Sequence, residues 1–176
     1  EEKDIEKKIK EKNSLAKNQG LKNILITGTG GFIGKNLLEK LKLLKNYHLI
    51  LISRSVVKDS NEKNISIINS ELSELKPNSI IFDDVDIVIH LASEVKYENG
   101  DNIYENNING TKYLLRSIGQ RNRENIRKII FTSSIGAIDR SKNDNCEKPI
   151  DLNTPAHPSS YYGYSKLVGE KLIRKF

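Results

Sequence analysis

The sequence has no methionine, no tryptophan, one cysteine and four prolines, and it contains no long unbroken apolar run. Each shortage excludes something. A membrane-spanning helix needs about 20 consecutive apolar residues, so none is expected. The N-terminus has no apolar core of the kind a secretory leader carries. Cys146 alone cannot form an intrachain disulfide, which fits a reducing, cytoplasmic setting. Nothing beside Cys146 in the sequence would activate its thiol, so a reactive cysteine is disfavoured. With no methionine at position 1 or anywhere else, the sequence reads as a piece of a longer polypeptide.

The net charge of +6 invites a nucleic-acid reading, which the charge distribution does not favour. Residues 1–17 hold six lysines but also five acids, and residues 1–20 contain no aromatic residue and no arginine. A mixed-sign run of this kind is a solvated helix or arm rather than a basic face. Ile5, Ile9 and Leu15 offer a thin apolar stripe, enough to dock such a helix. We therefore separate a charged N-terminal arm or helix (1–20) from a globular domain (21–176).

From Leu21 onward, short apolar runs alternate with helical periods. Strands are expected at Asn23–Thr27, His48–Ile52, Ile65–Ile68, Val85–Leu91 and Ile126–Thr132. Helices are expected at Lys35–Lys45, with leucines at 37, 38, 41 and 44, at Ile103–Ile118, and from Tyr162 to Phe176. A polar loop, Asp139–Ser160, holds all but one of the prolines. Strands alternating with helices predict an α/β fold with a parallel sheet covered on both faces, which explains the unbroken apolar strands.

The first strand runs into a glycine cluster, GTGGFIG (28–34), and then into a helix. That is the setting of a dinucleotide site. Gly28 allows a sharp turn, Gly31 lets backbone approach a pyrophosphate, and Gly34 lets helix pack closely on sheet. The helix N-terminus then offers N–H groups and partial positive charge to the phosphates. No Gly-Lys-Ser/Thr follows, so this is not a Walker phosphate loop. After the second strand, an acid would suit the ribose of NAD; Arg54 stands there instead and suits the 2′-phosphate of NADP. The cofactor expectation is NAD(P), leaning to NADP.

Four further motifs follow in order: DIVIHLAS (86–93), NINGT (107–111), FTSS (131–134) and Tyr162-x-x-x-Lys166. Together with the glycine turn, over residues 22–176, they resemble the extended short-chain dehydrogenase/reductase family, the NAD-dependent epimerase/dehydratase group. The resemblance implies a doubly wound Rossmann sheet of order 3-2-1-4-5. It implies Tyr162 as general acid/base, Lys166 as its activator and ribose ligand, and Ser134 as the hydroxyl that meets the substrate oxygen, with Ser133 the alternative. Thr27, Gly28, Gly31, Phe32, Ile33 and Gly34 would surround the pyrophosphate, and Leu91, Ala92 and Ser93 would line the cofactor. Asn107 would brace the central helix and strand, and His90 reads as structural rather than as a metal ligand. Glu71 stands near where the family often has an aspartate that contacts adenine. Of three neighbouring tyrosines only Tyr162 lies four residues before Lys166, on the same helix face; Tyr161 and Tyr164 read as packing or loop residues.

Ser134 is followed by Ile135-Gly136-Ala137, without the Asp-Glu pair of the family's dehydratases. Dehydration is disfavoured, and epimerisation or reduction of a nucleotide-sugar by hydride transfer remains. The rival is a non-catalytic NAD(P)-binding regulatory or scaffold protein, though such relatives often lose the tyrosine or the lysine. The resemblance further implies the last sheet strands and a small C-terminal substrate domain beyond Phe176. A homodimer is expected as well, and the charge pattern and the lack of a long apolar run leave no nucleic-acid or membrane partner expected.

Overall fold

The computed structural model describes residues 2–54, 62–95, 100–138 and 149–176. Cys146 lies outside the described residues. Among the described residues, five strands form one sheet: β1 (Lys22–Thr27), β2 (Tyr47–Ser53), β3 (Ile65–Asn69), β4 (Ile87–His90) and β5 (Lys128–Phe131). Their order is β3-β2-β1-β4-β5, and β1 runs parallel to both β2 and β4, as β2 does to β3. This is the expected doubly wound Rossmann sheet. The helices are α1 (Glu2–Asn18), α2 (Phe32–Lys42), α3 (Gly100–Arg123) and α4 (Tyr161–Lys175).

The chain divides into two compact units. The first comprises Glu1–Ala92 and Tyr113–Ile130, and the second Ser93–Lys112 and Phe131–Phe176.

In the first unit the central strands are apolar on both faces. Leu25, Ile26 and Ile50 are fully buried, each worth roughly 1.5–3 kcal/mol of transfer free energy. Leu37, Leu38 and Leu41 of α2 pack on a cluster of Ile24, Ile26, Leu49, Leu51 and Ile65. The helix begins at Phe32, directly after the glycine turn, and closes at Lys42 with three-residue turns in which Leu43 N–H donates to Lys40 O and Leu44 N–H to Leu41 O. It therefore ends short of the expected Lys45, and Leu44 is exposed.

The charged N-terminal segment is a docked helix, but not along the expected stripe. Ile9 and Ala16 are buried, whereas Ile5 and Leu15 are more than half exposed. At about 100° per residue, Leu15 lies roughly 120° around the helix from Ile9; positions 13 and 16 share its face. The middle of that face is polar. Asn13 is fully buried and donates through Nδ2 to Ile81 O (3.1 Å) and Asp83 O (3.3 Å). Ser14 Oγ donates to Asp84 (2.6 Å) and Lys17 pairs with the same carboxylate (3.1 Å), which holds Asp84 below its ordinary range, the Ser14 bond contributing most.

A buried polar chain continues from α1 into the sheet. Asn23 Nδ2 donates to Asn13 O and Asp84 O, so its Oδ1 must face His48. His48 Nδ1 (3.0 Å from that oxygen) therefore carries the hydrogen, and Nε2 accepts from Ser66 Oγ at 3.1 Å. Burial, reinforced by Lys12, lowers the imidazole from 6.5 to about 4 and keeps it neutral.

The α3 backbone breaks at Gly119, with φ 60° and ψ 179°. A side chain there would strike Asn78, whose own φ is 51°. The Asn78 and Ser79 N–H groups bond Arg116 O and Ser117 O, fastening this turn to the end of the helix. The first helical stretch thus stops at Ile118, where the sequence pattern places the end, but α3 starts ahead of the expected Ile103 and resumes after the kink to reach Arg123.

Candidate functional site

The glycine turn belongs to the first unit. Thr27, the last residue of β1, is buried; its hydroxyl lies 2.7 Å from His90 Nδ1 and accepts from Ala92 N–H at 3.2 Å. Those bonds tie the end of β1 to the end of β4 and account for His90 as a structural residue. Gly28 turns the chain with φ +78°, and a Cβ there would lie 2.5 Å from Ala92 N. This glycine therefore serves both the turn and the close passage of the Leu91–Ala92 backbone. A Cβ at Gly34 would lie 2.2 Å from Gly28 O, so that glycine seats the helix against its own turn.

Gly31 differs from both. Its backbone is extended (φ −78°, ψ 171°) and a Cβ would meet only Gly28 O, at an ordinary 3.5 Å. It is the N-cap of α2, where no side chain caps the helix and no acid occupies the first turn. Such a terminus leaves backbone donors available and places no negative charge against an anion. The turn thus fits the pyrophosphate of a dinucleotide, with Gly31 leaving the approach open. Phe32 and Ile33 stand exposed beside it, at 85% and 55%. Arg54 is exposed one residue after β2. Glu71 is engaged locally, since it and Glu74 form a reciprocal capping box around a short turn.

The second unit holds Ser134, Tyr162 and Lys166. Ser160 caps α4, its hydroxyl accepting from Gly163 N–H at 3.0 Å, and so sets the phase of the helix. Lys166 is buried at 3% exposure and Tyr162 is half-buried. The ammonium donates to Thr132 O (2.9 Å) and lies 5.6 Å from the Tyr162 ring centre and 5.1 Å from that of Phe131. Burial lowers the lysine from 10.5 to about 8. The geometry separates the other tyrosines. Tyr164 packs on Tyr104 with ring centres 5.5 Å apart, and Tyr161 is 59% exposed.

The two serines after β5 also differ. Ser133 Oγ donates to the Glu170 carboxylate, whereas Ser134 Oγ accepts from Gly136 N–H at 3.2 Å, a bond that leaves its proton available. Asn107 brackets Glu94, accepting from its N–H (2.8 Å) and donating to its C=O (3.1 Å), and also donates to Ser165 Oγ (3.1 Å) on α4. Ser93, just before this bracket, is half-buried.

Several supporting residues escaped the sequence reading. Gly163 and Gly169 let α4 approach its neighbours, since a Cβ would lie 2.1 Å from Gly136 O and 2.5 Å from the Phe131 ring, respectively. Two glycines inside an amphipathic helix were the available signal, because each costs about 1 kcal/mol against alanine and needs a packing reason. Ser165 and Glu170 carried no signal of their own.

A Rossmann sheet, a glycine turn after its first strand and a Tyr-x-x-x-Lys helix are features of the short-chain dehydrogenase type. Residues 24–176 match the NAD dependent epimerase/dehydratase family, and the chain belongs to it. A Methanocaldococcus jannaschii protein, provisionally named a UDP-glucose 4-epimerase, is 34% identical over 160 residues, covering 87% of this chain and 50% of that protein. The uronate dehydrogenase of Pseudomonas putida is 29% identical, covering 84% of this chain and 52% of the enzyme. Among solved structures, the UDP-N-acetylglucosamine 4-epimerase of Methanobrevibacter ruminantium M1 aligns with a TM-score of 0.71 at 25% identity. That alignment covers 89% of this chain and 50% of the other. The chain thus spans about half the length of the relatives it matches.

Proposed function

We propose that this chain carries the cofactor site and acid–base machinery of an NAD(P)-dependent epimerase or reductase that acts on a nucleotide-sugar. The observation that carries the reading is the buried Lys166 ammonium one turn from Tyr162. NAD(P), when bound, supplies the hydride acceptor and donor. Tyr162 Oη takes the proton of a sugar hydroxyl as its carbon is oxidised and returns a proton to the carbonyl oxygen on reduction. A free phenol ionises near 10, too high for a base at neutral pH. The Lys166 ammonium beside its ring is the positive charge proposed to stabilise the oxygen as its proton leaves. Lys166 would also hydrogen-bond the nicotinamide ribose, and the Ser134 hydroxyl would donate to the substrate oxygen. Thr27, the glycine turn, Phe32 and Ile33 would hold the pyrophosphate, and Leu91, Ala92 and Ser93 would line the cofactor. The relatives named as UDP-sugar epimerases support a nucleotide-sugar, and the absence of an Asp-Glu pair after Ser134 argues against dehydration.

Calorimetric titration with NAD⁺ and NADP⁺ tests the cofactor half. Arg54 favours NADP⁺, and Arg54→Ala should erase roughly 1.5–3 kcal/mol of that preference. A wild type that prefers NAD⁺, unchanged by the substitution, would remove the role of Arg54; a wild type that binds neither would sink the whole reading. On the natural-length polypeptide, interconversion of UDP-glucose and UDP-galactose without added reductant marks an epimerase, whereas consumption of external NAD(P)H marks a reductase.

A further inference from the structure

The segment leaving β5, FTSS (131–134), is fastened to α4 at three successive residues. The Phe131 ring sits where Gly169 has no side chain. Thr132 O accepts from Lys166 Nζ at 2.9 Å. Ser133 Oγ donates to the Glu170 carboxylate. Tyr162, Lys166 and Glu170 follow one another at intervals of four and so share one face of α4. The chemistry of the third contact has a direction. A serine hydroxyl can donate or accept, but an ionised carboxylate only accepts, so the single Ser133 proton is committed to Glu170. Two adjacent hydroxyls thereby become inequivalent, and only Ser134 keeps a proton for another acceptor.

We infer that Glu170 is a positioning residue: by holding Ser133 it fixes the Thr132 carbonyl that seats the Lys166 ammonium, and it leaves Ser134 as the hydroxyl that meets substrate. The inference rests on the function proposed above for Lys166 and Ser134. Glu170 touches neither cofactor nor substrate in this role; it acts through the strand exit. Arg174, 3.6 Å from the other carboxylate oxygen but 82% exposed, adds little.

The test uses the 176-residue chain with Glu170→Ala, Glu170→Gln, Ser133→Ala and the Ser133/Glu170 double alanine variant. Three quantities are measured: melting temperature, NAD⁺ affinity, and the titration of the Lys166 ammonium by nitrogen NMR. Both single alanine variants should weaken NAD⁺ about five- to tenfold and move the Lys166 titration upward as the ammonium gains water. The double variant should do no more than either single one, because the two residues act as a unit. Glu170→Gln keeps an acceptor oxygen and should stay near wild type. Ser133→Ala deletes one atom, so it carries the test even if Glu170→Ala folds poorly. Lower melting temperatures with unchanged affinity and unchanged Lys166 titration would reduce Glu170 to a structural residue and overturn the inference. A wild type that binds neither NAD⁺ nor NADP⁺ would instead overturn the proposed function, and the Lys166 titration would still decide whether Glu170 positions the ammonium.

Discussion

The Lys166 ammonium lies 5.6 Å from the ring centre of Tyr162 and is anchored to Thr132 O at 2.9 Å, so its charge is held beside one particular phenol. Tyr164 spends its ring on Tyr104, and Tyr161 is largely in solvent. Tyr162→Phe should therefore abolish turnover of the natural-length polypeptide, lowering kcat by about 10²–10⁴, the usual worth of general acid–base help. Tyr161→Phe and Tyr164→Phe should keep most activity, the second because phenylalanine preserves the ring contact. Steady-state kinetics on the three variants decide it, and normal turnover by Tyr162→Phe would show that the wrong tyrosine has been chosen.

Lys166 sets function against stability. In the unfolded chain it holds its proton up to about 10.5, and in the fold only to about 8. Between those values the unfolded state binds more protons, so stability rises with pH across that window and the burial penalty is fully present below about pH 8. That penalty is roughly 3 kcal/mol at neutral pH, set against about 1 kcal/mol for the bond to Thr132 O. Lys166→Met should consequently melt at a higher temperature than wild type at pH 7 while losing NAD(P) affinity. Cofactor binding by the wild type should weaken as pH rises past about 8. Calorimetric scans and titrations at pH 7 and pH 9 would expose an error in either sign.

How much of this was legible beforehand depended on whether the signal was local. The strand, glycine turn and helix between Lys22 and Lys42 are contiguous, so apolar periodicity and the glycine cluster together located them, with the helix three residues out of place at each end. The Tyr-x-x-x-Lys spacing likewise fixed which tyrosine shares a face with Lys166. Contacts between distant segments left no such trace. Ser133 and Glu170 are 37 residues apart, and nothing in the spacing of FTSS distinguishes its two serines. Asn13 on α1 reads as a solvated polar residue, yet it is the fully buried centre of the docking face. Ile5 and Leu15 misled because the apolar count drew attention away from the helical phase. Arg54 was legible as a charge, but its partner in the proposed role would be a cofactor.

The His48 network predicts acid sensitivity. Unfolded, the imidazole takes a proton near 6.5; folded, only near 4. As pH falls between these values the unfolded chain gains the proton first, so stability declines from about pH 6.5 and levels off near pH 4. Up to roughly 3 kcal/mol is at stake. His48→Gln offers Asn23 a donor and Ser66 an acceptor without titrating, so its urea-unfolding free energy should be flatter across that window. An equally steep loss in the variant would assign the acid sensitivity to other groups.

The glycine turn yields a pair of substitutions with opposite signatures. Gly34→Ala places a methyl 2.2 Å from Gly28 O, a backbone atom of the turn itself, so helix and turn must move apart. Overpacking of that kind costs about 1–3 kcal/mol, and the melting temperature should fall clearly. Gly31 has an extended backbone open to any residue and only a 3.5 Å contact awaiting a Cβ. Gly31→Val should therefore keep the far-ultraviolet circular dichroism and the melting temperature near wild type. Its branched side chain would nonetheless stand over the uncapped start of α2, where the pyrophosphate is proposed to lie, and NAD(P) affinity should collapse. The decisive measurement is the pairing of melting temperature with cofactor titration in both variants. A Gly31→Val chain that binds cofactor as tightly as wild type would mean that phosphate does not approach this turn, however well its backbone suits an anion.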